Sequence, residues 1–158
     1  MLGPSTQDQV LVEFILLKFD ALVEILDGTD SETANTELAV DGSNSLIQLV
    51  IHCCGTMRRW SSSVNLGIEV PRDREAEFRA HMPVAEALES AVRTRAAFLD
   101  DVAITDFNAP PIAVPVGREA FWTGSCRNVL LHVFEELTQH LGQAEVTRDL
   151  LTASQKAT

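Results

Sequence analysis

His132, Glu136 and His140 follow one another at intervals of four in the segment HVFEELTQH. On a helix, residues four apart lie one turn apart on the same face, so Glu136 and His140 can converge on one ion. Two ligands are too few for Zn²⁺, which commonly takes three from the protein and keeps a position for water or substrate. His52 is the candidate third, because it stands among Leu49, Val50 and Ile51, where a solvated polar face is not expected. Read on these residues alone, the alternatives are an ordinary surface contact between Glu136 and His140 and a hydrogen-bonded interior histidine at 52. Cys53 and Cys54 adjoin His52, but successive helical residues point about 100° apart, so both read as buried structural thiols.

The remaining composition narrows the chemistry. A net charge of −11 repels phosphate backbones and anionic membrane surfaces, and the 12 basic residues form no dense run, so neither nucleic acid nor membrane is expected as a partner. The first apolar run, Val10 to Leu17, lacks a basic leader and contains Glu13, which is unlike a secretory signal. Cys126 is the third cysteine, and adjacent Cys53 and Cys54 could pair only through a strained ring, so a reducing cytoplasm is expected.

Four helices must position these residues. The first is expected near residues 6 to 27, opened by a capping pattern at Ser5 and Asp8, with Glu13, Asp20, Glu24 and Asp27 confined to one stripe and Gly28 as its stop. Residues 29 to 42 read as loop. The second helix is expected near 44 to 63, ending before Asn65 and Gly67, with Leu46, Leu49, Val50, Cys53, Met57 and Trp60 inward. The stretch 68 to 82 alternates charges around Pro71 and is expected to hold a short exposed helical turn or two that face only solvent. Pro83 opens a third helix, near 83 to 103, with Val84, Leu88, Ala91, Phe98 and Val102 buried. Residues 105 to 122 carry Pro110, Pro111 and Pro115, a loop long enough to suggest a function. The fourth helix is expected near 124 to 152. With no strand pattern, the chain reads as one all-α domain over residues 1–158, an antiparallel four-helix bundle.

Two blocks carry a family likeness. Leu46 to Trp60, LIQLVIHCCGTMRRW, and Leu130 to Leu150, LLHVFEELTQHLGQAEVTRDL, resemble the DinB-like metal-binding four-helix superfamily, in its mycothiol-dependent transferase and maleylpyruvate isomerase-like branch. The likeness rests on a His followed eight residues on by Trp, and on a closing helix with an acidic residue, a His four later, a Gly-containing step and a late Arg. It implies that His52, Glu136 and His140 are the ligands of one divalent ion, Zn²⁺ first, with Ni²⁺ or Fe²⁺ as alternatives. Many relatives have His where this chain has Glu136, and an anionic ligand makes the ion a weaker Lewis acid. His132, one turn before Glu136, is a candidate catalytic partner or proton carrier. Gln143 is a candidate for orienting a ligand or substrate. Trp60 and Arg148 are candidates for contacting a cofactor, with core packing and a local salt bridge as their alternatives.

The function this implies is a metal-dependent thiol S-transferase, in which a low-molecular-weight thiol attacks an electrophilic small molecule. Mycothiol is the expected thiol, with bacillithiol or glutathione as alternatives. A metal-dependent hydrolase and a non-catalytic metal-binding stress-response protein are the competing readings. The first helix, apolar around more than half its circumference, is expected to offer a homodimer face. His81, which precedes Pro83 in the charged connection, is expected to play no part.

Overall fold

The computed structural model describes residues 6–156, which are helical with no strand. Four long helices carry the fold: α1 (Thr6–Asp27), α3 (Leu46–Arg58), α5 (Val84–Ile104) and α6 (Cys126–Lys156). Two short ones, α2 (Ser31–Ala34) and α4 (Arg74–Glu77), lie in the connections. α1, α5 and α6 each bury one stripe, whereas α3 is buried nearly all round. Ile15, Phe19, Leu22 and Leu26 of α1 meet Val129, Leu130, Val133 and Leu137 of α6 and the α3 residues Leu46, Leu49, Val50, Cys53 and Met57 in one core. On α5 the stripe runs through Ala87, Ala91, Phe98 and Val102, with Val84 and Leu88 at its margin rather than inside it.

Side-chain pairs fix the directions. Asp8 meets Arg127 and Phe14 meets Phe134, so α1 and α6 run parallel. Arg58 reaches the Ala97 carbonyl and Ser61 reaches Asp101, so α3 and α5 also run parallel. His52 meets His140 and Trp60 meets His132, which sets α3 against α6 in the opposite sense. The bundle thus has two helices up and two down. Its packing order is α1, α6, α3, α5, with α1 diagonal to α3 and α5 diagonal to α6.

This order explains the long connections. Residues 28–45 and 105–125 each cross a diagonal, as bundles with crossover connections require. Residues 67–83 join parallel neighbours and must return along the bundle. The return matches the length of α5, about 30 Å at 1.5 Å per residue, which an extended connection spans easily.

Local signals place the boundaries. Ser45 caps α3 in a reciprocal pair with Gln48, one residue inside the expected start. Asp30 caps the single turn α2 inside the segment read as loop. The cap expected at Ser5 lies outside the described residues. Helical structure does not stop before Asn65: α3 ends at Arg58 and runs on through Arg59–Leu66 as a π-helix, closed by Gly67 at φ 65°. The 105–125 crossover supports this extension: the Ile112 and Ala113 N–H groups donate to the Asn65 and Val64 carbonyls.

Candidate metal centre

Two of the four long helices supply the ligand-type side chains. His52 sits midway along α3, and Glu136 and His140 one turn apart on α6. The antiparallel packing of α3 on α6 brings one donor atom of each within 4.8 Å of the others, and among the described residues this is the group so arranged. His140 Nε2 lies 3.9 Å from Glu136 Oε2. Zn²⁺ sits about 2.0–2.2 Å from such donors, which sets them roughly 3–4 Å apart. Two nitrogens and one carboxylate oxygen are a donor set that a borderline-soft divalent ion accepts.

Hydrogen bonds on the far side of each ring decide which nitrogen faces the cluster. The Nδ1–H of His52 donates to Glu77 Oε2 at 2.9 Å. The Nδ1–H of His140 donates to Gln143 Oε1 at 3.2 Å. In the neutral form of each ring this leaves Nε2 as the free lone pair, the arrangement that metal-bound histidines show. His52 is 3% exposed and His140 8%, whereas Glu136 is half-buried, so the cluster is dry on the histidine side and open at the carboxylate. Burial holds His140 below its ordinary value, with the Gln143 bond opposing and His52 adding to the effect. The shift favours the neutral ring that a ligand must present.

Glu77 comes from the 67–83 crossover, which was expected to face only solvent. Instead its return path lays α4 against α3. Arg72 Nε donates to Glu77 Oε1 at 2.6 Å and an Arg72 NH2 group to Oε2 at 2.8 Å, a two-pronged pair that fixes the carboxylate on His52. Burial opposes ionisation of Glu77, but the Arg72 bonds and then the His52 bond outweigh it and hold the carboxyl below its usual value. Phe78 stacks on the His52 ring at 4.4 Å between centroids, and the Arg74 guanidinium lies over Phe78. None of Arg72, Glu77 and Phe78 was visible as a site residue. The available signal was Gly55, a glycine in an otherwise apolar helix interior, which marks close approach of another segment.

The other sequence candidates divide. His132 stands beside the cluster, its Nε2 4.0 Å from Glu136 Oε1 and its Nδ1 3.1 Å from Glu135 Oε2. Its ring stacks on Trp122 at 4.0 Å and meets Trp60 edge-on at 5.3 Å. Trp60 and Trp122 are themselves in edge contact, so the three rings form one aromatic wall on that flank. Gln143 orients His140 rather than standing free for substrate. Arg148 is not brought to the cluster. It bonds to Asp149 and lines a groove with Ala21, Ile25 and Leu141, because its position on α6 faces α1 rather than α3. His81 lies with Ser31, Asn35 and Met82, away from the site. Cys53 and Cys54 are free and buried, and burial pushes the Cys53 thiol well up and Cys54 up to about 11, which disfavours the thiolate a nucleophile needs.

A family model described as mycothiol-S-transferase matches residues 10–153, nearly the whole chain and every residue of the cluster. The chain belongs to the mycothiol-S-transferase family. No curated protein matches it. For a mycothiol-S-transferase family member the dry histidine pair and the open carboxylate side are the features that bear on chemistry. Among the described residues no helix is long and apolar enough to cross a membrane.

Proposed function

We propose that this protein is a divalent-metal-dependent S-transferase that joins mycothiol to an electrophilic small molecule. The observation that carries the reading is the convergence of His52, Glu136 and His140 with both histidine Nδ1 atoms already engaged. Family membership supplies the thiol. A divalent ion with an open position supplies thiol ionisation at neutral pH, where a free thiol with a pKa near about 8.5 is mostly protonated.

The chain's residues do the rest. His52 and His140 would offer Nε2 donors to the ion, and Glu136 would add one negative charge and so temper its Lewis acidity. His132 Nε2 is a basic atom outside the ligand set, placed to take the proton that the thiol releases. The Trp60, Trp122 and His132 wall shields Glu136 from bulk water on one flank and gives the electrophile an apolar surface.

Three buried free thiols suit a reducing compartment, and we place the protein in the cytoplasm. Val10, Phe14 and Leu17 remain exposed along α1, which supports a homodimer through that face. Zn²⁺ is the first choice of ion, with Ni²⁺ and Fe²⁺ compatible with the same donors.

The test is a screen of mycothiol, bacillithiol and glutathione against epoxides, haloaromatics and maleyl compounds, using protein of known ion content. Thiol consumption should follow ion occupancy and be fastest with mycothiol. Ion-loaded protein that accelerates none of these reactions but cleaves an ester or amide would move the assignment to a hydrolase.

A further inference from the structure

Gly55 lies on α3 one turn beyond His52, in a helix interior where glycine is the poorest helix former apart from proline. A Cβ built there would stand 1.9 Å from Glu77 Oε1, 2.8 Å from Glu77 Cδ and 3.0 Å from Arg72 Nε. The missing side chain is therefore the gap through which the crossover reaches His52. The carboxylate cannot yield to a Cβ cheaply, because Arg72 holds it by two bonds and His52 by a third. Arg72 is tied to α3 in its turn by a 3.3 Å bond to Thr56 Oγ1. Phe78 lies against the His52 ring from the same segment, so its plane and its Nδ1 bond are both set by residues 72–78.

We propose that Gly55, Arg72 and Glu77 form a positioning clamp for His52, so that docking of the 67–83 crossover on α3 and binding of the ion are one linked equilibrium. The proposal rests on the metal reading above. Its physical content is twofold. The clamp fixes the His52 tautomer with Nε2 toward the cluster, which removes a choice of ring state that the ion would otherwise have to impose. Linkage is reciprocal: whatever factor the docked crossover adds to ion affinity, the ion adds to docking. None of the three residues contacts the ion or the reacting atoms, and each acts through His52.

The experiment compares wild type, Gly55→Ala and Glu77→Ala, each freed of metal, with Zn²⁺ affinity measured by competition against a chromophoric chelator. Both variants should bind Zn²⁺ about 10–100-fold more weakly than wild type, the range that loss of such outer partners produces. Gly55→Ala is the sharper variant, since alanine favours the helix and its ion-free form should retain full helicity. If it fails to fold, Glu77→Ala carries the test. Two readouts separate positioning from mere packing. In ion-free wild type the ¹⁵N shifts of His52 should report a protonated Nδ1 and a bare Nε2, and this preference should disappear in both variants. Zn²⁺ should slow proteolysis within residues 68–82 of wild type and leave the variants unprotected. Wild-type Zn²⁺ affinity in both variants, with an unchanged His52 tautomer, would overturn the clamp while leaving the metal centre standing. Wild-type protein that takes up no Zn²⁺ would overturn the metal reading and the clamp together.

Discussion

The two histidines of the cluster are held in different ways. On the α6 side, His140 is steadied from within its own helix: Gln143, three residues on, accepts its Nδ1–H, and Glu136, four residues back, stands beside it. On the α3 side, His52 is steadied from a distant segment: Glu77 accepts its Nδ1–H, Arg72 braces Glu77, and Phe78 covers the ring. One partner is a neutral amide at 3.2 Å and the other a carboxylate at 2.9 Å backed by a guanidinium. Hydrogen bonds to charged groups contribute more than neutral ones, about 1.5–3 against 0.5–1.5 kcal/mol. Half of the site is therefore secondary structure, and half is tertiary.

Removing either ring is the largest perturbation and should erase the difference between the two sides. His52→Ala and His140→Ala should each lose most of the bound ion, because two remaining donors seldom retain a labile one. Metal analysis after gel filtration reads the outcome, and unchanged stoichiometry in both variants would remove these residues from the ligand set.

Removing the supports instead of the rings should expose the asymmetry. Gln143→Ala is expected to weaken Zn²⁺ binding a few-fold, less than Glu77→Ala does, since a neutral, part-buried bond contributes less than one to a charged carboxylate. Competition titrations of the two variants side by side decide it. Equal losses would mean that the charge on Glu77 adds nothing.

His132→Gln is expected to act on turnover and hardly on ion binding, because His132 touches Glu136 only at 4.0 Å and belongs to the aromatic wall. A fall in kcat at constant ion content is the expected result. Loss of ion in that variant would place His132 in the metal's support instead.

The smallest effect concerns the thiols away from the open side of the site. Burial raises Cys126, as it raises Cys54, from an ordinary 9.0 to about 11. A group whose folded pKa is raised favours folding below its unfolded pKa, and that contribution is lost as pH rises through the folded value. Stability should therefore decline between about pH 9 and 11. Urea titrations at steps across this window check it, and alkylation at pH 8 should be slow until the chain unfolds.

Periodicity and spacing suffice for the four long helices, and for the pairing of Glu136 with His140, because each depends on neighbours within a turn or two. His52 was legible as a polar residue in an apolar stretch. The π-helix at 59–66 was not, because its support is the Ile112 and Ala113 amides arriving from another part of the chain. Of the two roles open to Arg148, the local salt bridge is the one the structure shows, with Asp149, and its side chain looks toward α1. Spacing alone does not reveal which neighbour a face meets.

The sequence by itself determined the helices, the inward stripes and the three donors, since these follow from local periodicity and side-chain chemistry. Only the tertiary structure decided that α3 and α5 run parallel, and that decision sent residues 67–83 back along the bundle. The charged connection that composition assigns to solvent thereby becomes the support of His52, because Gly55 leaves room for Glu77 and Arg72 supplies the charge that keeps a buried carboxylate ionised.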